Sequence, residues 1–416
     1  MRMYFAPPDR GALFRTLNAA TLCLSLLGVS CNRPSSPSTA VATSSAASPS
    51  SDVCYVSAHS CEKRCTDGDA AKCNALGDTF EQGRGVPKDA AKAETSFVRA
   101  CRLGNYHGCA GAGRLMVADS NGMERTERLS QAAPFLEDGC AAGDHRCCAV
   151  LGIMYDLGKG VEHNAARAAA LHETACNGNV FAACALLADL YEKRDRPAAD
   201  LERALALRLR ACEGGEMPAC AFAGAMFEDG RGVAKNLGRA REYYARACDK
   251  GVAAGCTNLG WLYREGLGVP RDLPRALQLF EGACSSRTPR AGVNLGQMIE
   301  KGQAMRADPQ RASELYRLAC DAEDLLGCNN LACLHKAGVG VARDVPKALV
   351  LYERACTGGL GLACANLAEL YDVGNGVRRD KTRARELYSK GCDLTNPRAC
   401  CMLRQSGHQP CKEQDH

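Results

Sequence analysis

Aromatic side chains are scarce in this chain. They make up 5% of its 416 residues, and Trp261 is the only tryptophan. A core built from large rings is thereby excluded, so helices must instead approach closely through small residues, alanine and the 42 glycines. Histidine is thin as well. His59, His107, His145, His163, His172, His335, His408 and His416 share no spacing, and no Cys-x2-Cys pair occurs, which removes the familiar zinc patterns. Charge of one sign is also missing. The formal net charge is +5, and about +3 beyond residue 30, because Arg2, Arg10 and Arg15 are opposed there by Asp9 alone. A nucleic-acid partner asks for a clustered basic face, which this balance argues against.

What the chain has in excess is cysteine, 27 in all. Nine Cys-x7-Cys pairs stand out: Cys65 with Cys73, Cys101 with Cys109, Cys140 with Cys148, Cys176 with Cys184, Cys212 with Cys220, Cys248 with Cys256, Cys320 with Cys328, Cys356 with Cys364 and Cys392 with Cys400. From Cys140 to Cys392 the first cysteine returns every 36 residues, Cys284 included, although the partner position of Cys284 is Gly292. A period in that range marks a stacked-repeat protein, each unit burying its apolar face against its neighbours. So many thiols at constant, long spacing read as disulfides in an oxidising compartment rather than as metal ligands. Only Cys54, His59, Cys61 and Cys65 lie close enough together for a metal to be weighed. Closing a loop this short contributes about 2–3 kcal/mol per bond in the chain-entropy treatment.

Arg10 and Arg15 precede an apolar run over residues 17–30 that is too short to span a bilayer. A basic start, a short apolar stretch and small residues before Cys31 are the parts of an export signal over residues 1–30. The run Leu27-Gly28-Val29-Ser30-Cys31 resembles a bacterial lipoprotein box, with Gly28 where leucine is usual, and implies lipidation of Cys31; plain cleavage nearby is the alternative. Residues 31–53 are mostly Ser, Pro, Ala and Thr and form a flexible linker. The repeat array is expected over residues 54–404, with a tail over 405–416.

Aligned on the cysteines, each unit places apolar residues at helical spacing on both sides of a Gly-x-Gly-Val segment. An Asp then precedes a second helix, as in Gly266-Leu267-Gly268-Val269-Pro270-Arg271-Asp272. The glycine pairs could be mistaken for phosphate cradles, but no strand precedes them; they read as backbone turns, and no cofactor is expected. Each unit is helix, loop, helix. A motif of Leu, then Gly or Ala, then Tyr or Phe three residues on recurs at Leu151 with Tyr155, Leu187 with Tyr191 and Leu367 with Tyr371. With the 36-residue unit, the glycine loop and Ala-Cys closing the second helix, the chain resembles the Sel-like repeat (SLR) branch of the tetratricopeptide superfamily, in particular its cysteine-rich Hcp type. The resemblance covers residues 61–404. It implies an all-α α/α solenoid, or superhelix, of about ten repeats. The departures are three extra residues between Cys101 and Cys140, the missing partner at Gly292, and a degenerate first segment.

The resemblance further implies that the first helices line a concave groove into which Asn258, Asn294, Asn330 and Asn366 point. An asparagine can hold a peptide main chain through its donor and acceptor together, or it can brace neighbouring repeats. Trp261 falls on the same face, as a binding anchor or a packing residue. At the last turn of these helices Asp156, Glu192, Glu228, Asp229, Glu265, Glu300 and Asp372 outnumber Arg264, Lys301 and Lys336, a bias toward a basic ligand. Cys284 and Cys333 either pair with each other or leave thiols, and Cys147 beside Cys148 makes one pair ambiguous. Cys54 with Cys61 and Cys401 with Cys411 are candidate staples at the two ends.

Two functions follow as expectations. One is an exported scaffold binding a protein, peptide or cell-wall component in its groove, held by a lipid anchor at the periplasmic face of the outer membrane or secreted. The other comes from the resemblance alone, since Hcp-type proteins are associated with penicillin binding and β-lactamase activity. For that activity the residues offer only Ser60-Cys61-Glu62-Lys63, without the Ser-Asp-Asn and Lys-Thr-Gly elements that a serine β-lactamase uses. No catalytic residue and no metal ligand is assigned.

Overall fold

The computed structural model describes residue 54 and residues 58–118, 123–192, 198–285 and 288–406. The export segment, Cys31, the linker, Cys411 and the end of the tail lie outside these residues. Helices and turns make up everything described, with no strand. After a short α1 (Ala58–Thr66), ten first helices carry even numbers: α2 (Ala70–Gln82), α4 (Tyr106–Ala118), α6 (His145–Leu157), α8 (Phe181–Tyr191), α10 (Met217–Asp229), α12 (Ala253–Glu265), α14 (Pro289–Glu300), α16 (Leu325–Ala337), α18 (Gly361–Val373) and α20 (Pro397–Ser406). The second helices between them are α3 (Ala90–Arg102), α5 (Met123–Ala141), α7 (Ala165–Asn177), α9 (Ala198–Glu213), α11 (Leu237–Asp249), α13 (Leu273–Ser285), α15 (Pro309–Asp321), α17 (Val345–Thr357) and α19 (Lys381–Asp393). This is the expected all-α solenoid-like array. α20 runs to Ser406, two residues into the expected tail. The described residues fall into two compact units, α1–α10 and α11–α20, divided after residue 235.

Local chemistry explains where the helices start and stop. α12 ends on Gly266 at φ 72°, whose N–H bonds back to Leu262 O. Gly268 follows at φ 68°, and a Cβ there would come within 2.5 Å of the Leu237 Cβ, so a side chain is excluded both by conformation and by packing. Ala304 takes the corresponding position one repeat later at φ 66°, which puts one to two kcal/mol of strain, on the order of the usual cost, into that loop. Most second helices begin on an Asp or Asn whose carboxylate or amide oxygen accepts from the third residue on: Asp272 from Arg275 N at 3.0 Å, Asn164 from Arg167 N at 2.9 Å.

Nine disulfides join the last turn of one helix to the first turn of the next, each closing an i to i+8 turn with a Cα separation of 4.5–4.8 Å. In the first unit they are Cys65–Cys73, Cys101–Cys109, Cys140–Cys148, Cys176–Cys184 and Cys212–Cys220. In the second they are Cys248–Cys256, Cys320–Cys328, Cys356–Cys364 and Cys392–Cys400. Cys73, Cys109, Cys220, Cys328 and Cys364 are fully buried, while both cysteines of Cys248–Cys256 and of Cys392–Cys400 are half-buried, so most but not all of the staples lie inside the helix stack. Inside one such turn, Gly251 at φ 82° donates to Cys248 O at 2.8 Å and Val252 N to Ala247 O at 3.0 Å, so the bridged backbone is also hydrogen-bonded. A tenth disulfide, Cys54–Cys61, ties residue 54 to α1. Cys401 is disulfide-bonded too, its partner outside the described residues.

A second device, invisible to the cysteine pattern, locks each helix pair. Four residues before the first cysteine of a pair, and before the unpaired Cys284 in the same phase, stands a large side chain: Phe97, Leu136, His172, Arg208, Tyr244, Phe280, Tyr316, Tyr352 and Tyr388. All nine are buried. Within each unit, a glycine on the preceding first helix receives several of them. A Cβ on Gly77 would meet Phe97 at 2.6 Å, one on Gly152 would meet His172 at 2.7 Å, one on Gly260 would meet Phe280 at 2.9 Å, and one on Gly296 would meet Tyr316 at 2.7 Å. Six of the nine locks are aromatic, and where a glycine receives them the missing Cβ lets two helices close on a single large side chain.

Candidate functional site: the face of the first helices

In the second unit the polar side chains of adjacent first helices are cross-linked to one another. Arg264 on α12 lies 4.3 Å over the Trp261 ring, donates from Nη1 to Gln297 Oε1 on α14 at 3.2 Å, and from Nε to Glu265 Oε1 at 2.8 Å. Burial pulls its guanidinium below the usual arginine range, against the pull of Glu265. Lys301 is lowered as well, first by burial and then by Arg264. Further along, Asn366 Nδ2 on α18 donates to Asn329 Oδ1 on α16 at 2.9 Å, while Arg398 on α20 donates to Asn366 Oδ1 at 3.0 Å and to Glu369 Oε2 at 2.7 Å. Lys336 Nζ reaches the same Glu369 oxygen at 3.8 Å.

These contacts sort the sequence-derived candidates. Asn366 is 7% exposed and has both ends of its amide engaged, so here the bracing role is the one the structure realises, not a free donor–acceptor pair. Asn294 is equally buried. Asn258 and Asn330 are half-buried. Asn330 Oδ1 accepts from Asn329 Nδ2 at 3.2 Å, and its own Nδ2 is buried without a partner. Trp261 is half-buried with Arg264 on one side of its ring. The four asparagines are therefore not equivalent: Arg398 closes one end of the row, while Asn258 keeps part of its surface open.

Two of the locking tyrosines, both fully buried, reach first-helix side chains with their hydroxyls. Tyr316 OH donates to Glu300 Oε2 at 2.8 Å, and Tyr352 OH to Cys333 Sγ at 3.2 Å. Burial holds both phenols above their ordinary range, with the neighbouring Glu300 adding to it at Tyr316 and Cys333 at Tyr352. Cys333 is a thiol, as are Cys284 and Cys147. Cys284 and Cys333 do not pair with each other. Burial raises the Cys333 thiol despite the Tyr352 hydrogen bond, so it is a poor nucleophile as it stands. The Cys147 ambiguity is resolved: Cys148 takes Cys140, while Cys147 donates to Tyr106 O at 3.3 Å and is pushed up to about 12 by burial.

The first unit uses ion pairs instead. Arg114 on α4 makes a two-pronged contact with Glu81 on α2, at 2.5 and 2.6 Å. Arg208, 1% exposed, bonds to Asp189 and, through Nε, to Glu192 Oε1 at 2.8 Å, and its guanidinium stacks 4.2 Å over Phe222. Arg231 Nη2 takes the other Glu192 oxygen at 3.0 Å. Burial raises the Asp189 carboxyl, with Arg208 pulling the other way. The acidic excess noticed in the sequence belongs to this unit, where Asp156, Asp189, Glu192, Glu228 and Asp229 stand against Arg208 and Arg231. In the second unit Glu265, Glu300, Glu369 and Asp372 are balanced by Arg264, Lys301, Lys336 and Arg398. The Arg208 cluster escaped the sequence reading; the signal for it was a charged residue at a position where every other repeat has a ring, a leucine or a histidine.

Ser60 and Lys63 lie exposed on α1, and Cys61 between them is oxidised with Cys54. His59 is exposed, and Cys54, Cys61 and Cys65 are all in disulfides, so the metal reading of that group is withdrawn. Among the described residues no group of three or more His, Cys, Asp and Glu is arranged to hold a metal.

Comparison with known proteins agrees with this architecture. The Sel1 repeat pattern matches eight segments: residues 73–105, 145–180, 181–216, 218–252, 253–286, 289–324, 325–360 and 361–396. A crystal structure of a protective antigen present in uropathogenic Escherichia coli strains, displaying an SLR fold, superposes with a TM-score of 0.61 at 25% identity, covering 85% of this chain and 76% of that one. A Sel1 repeat protein from Oxalobacter formigenes is 23% identical with a TM-score of 0.46, over 66% of this chain and 96% of that one. No curated protein matches the chain.

Proposed function

The chain belongs to the Sel1 repeat family, and from that premise we propose that it is an exported scaffold holding a protein or peptide segment, or a cell-envelope ligand, against the first helices of its second unit. The ten disulfides between described residues fit an oxidising compartment, periplasmic or extracellular. In this reading residues 1–30 direct export, Cys31 carries the lipid, and residues 31–53 tether the array at the periplasmic face of the outer membrane. The observation that carries the binding site is the half-exposed set Asn258, Trp261 and Asn330, on helices fixed by staples and locks. A rigid frame loses little entropy on association, so a few such groups suffice for a specific contact.

A photocrosslinking residue placed at Asn258 or Trp261 in cells tests this, with Val350, 64% exposed on a second helix, as the control. One partner captured from Asn258 and Trp261 and absent from Val350 is expected. The same adducts from all three positions would remove the site. Separately, Cys31→Ala is expected to release the protein from the membrane fraction. Hydrolysis of a chromogenic β-lactam that is lost in Ser60→Ala would replace the scaffold reading with the enzymatic one.

A further inference from the structure

Of the nine locking side chains, His172 is the one whose charge can change near neutral pH. Its ring is 1% exposed, closes over Gly152, where a Cβ would sit 2.7 Å from Cε1, and has a buried Nδ1 with no hydrogen-bond partner. We infer that the α6–α7 junction is an acid-sensitive clasp, in which protonation of His172 undocks α7 from Gly152 while the junctions locked by rings stay closed.

The geometry leaves a charged ring badly placed. An imidazolium needs two acceptors, and the buried Nδ1 has none. The charged groups on the packed elements are His145, Arg146 and Asp156 on α6, Arg167 and Glu173 on α7, and Asp189 on α8. His145 lies against Gly178 at the far end of α7, and Arg167 is held by Glu137 at 2.8 Å and by the Tyr155 ring. Asp156 alone acts on the His172 ring. It favours the charged form, but burial outweighs it and pulls the imidazole down to about 4. The sign follows. The folded ring binds its proton later than the unfolded one, so the clasp is fully closed above about pH 6.5 and weakens progressively as pH falls toward 4. Asp189 runs the other way, because its raised carboxyl takes a proton more readily in the folded state, so it cannot cause an acid loss. The disulfides Cys140–Cys148 and Cys176–Cys184 flank the helix pair and confine any opening to it.

The test is amide hydrogen exchange of the full chain at pH 7 and pH 4, expressed as protection relative to the unstructured peptide. Residues 145–177 are expected to lose protection on the order of 100-fold, the interval between the free and buried ring, while residues 289–321, locked by Tyr316 on Gly296, change severalfold at most. His172→Tyr, which installs the side chain found at four other junctions, or His172→Phe if that variant does not fold, is expected to abolish the difference. Equal loss in both segments of the unaltered chain would overturn the inference, and so would a loss that persists in the variant.

Discussion

Two residues past the second cysteine of each pair, the two units part company. The first unit has Ala75, Gly111, Val150, Leu186 and Phe222 there; the second has Asn258, Asn330 and Asn366, with Asn294 at the matching place after Gly292 and Met402 after Cys400. Most helices around these positions are 13 residues long, and every turn there but the one between Cys284 and Gly292 carries a staple. The locks differ as well: the first unit has Phe97, Leu136, His172 and Arg208, and the second has rings alone, Tyr244, Phe280, Tyr316, Tyr352 and Tyr388. The frame is held by large side chains seated on glycines and by a disulfide across every turn but that of Cys284, so the chemistry of the front face can change without disturbing it. The first unit covers that face with apolar groups and buried ion pairs, the second with amides bonded from helix to helix.

The comparison is broken most severely at Arg208. Arg208→Ala takes a fully buried guanidinium away from half-buried Asp189, leaves Glu192 with Arg231 alone, and is expected to destabilise the first unit by about 3 kcal/mol, read from urea unfolding followed by circular dichroism. Arg208→Tyr, paired with Asp189→Asn and Glu192→Gln, imports the second unit's solution and is expected to recover most of that loss. A smaller effect of opposite sign comes from the one unstapled turn. A Cβ on Gly292 would sit 3.7 Å from Cys284 Sγ, so Gly292→Cys is expected to close a further disulfide worth about 2.5 kcal/mol in the chain-entropy treatment. Mass spectrometry under non-reducing conditions reports the bond, and the unfolding midpoint its value.

Within the amide row, Asn366→Ala removes one hydrogen bond each from Asn329 and Arg398 and is expected to cost about 1–2 kcal/mol, measurable in the same urea titration. Asn258→Ala, at a half-buried position outside that bonded row, is expected to leave stability unchanged. The weakest contrast is the control: Asp272→Ala and Asn164→Ala remove the same cap in different units, and each is expected to cost about 1 kcal/mol. A large difference between them would mean that the units are not built on a common frame.

Much of the frame was legible in the residues. Cys248 and Cys256 are eight apart, Gly266 ends a helix by its own φ, and Asp272 begins one by its own side chain; each of these acts within a few residues and leaves a mark at fixed spacing. The locks were half legible, since Tyr316 and Gly296 stand in register with their counterparts, but nothing in either residue alone says that one covers the other. The candidate site was less so. Asn258 and Asn366 look alike in sequence, and Arg398, 32 residues further on, makes them different.

The sequence by itself determined the period, the helix ends and the turn staples, because these rest on closures between residues fewer than about ten apart. Tertiary structure alone decided which polar groups are engaged. Asn329 meets Asn366, Arg264 meets Gln297, and Arg208 meets Glu192 across 37, 33 and 16 residues. Whether a buried donor is satisfied depends on what the neighbouring helix places opposite it, and that is settled only when the repeats have stacked.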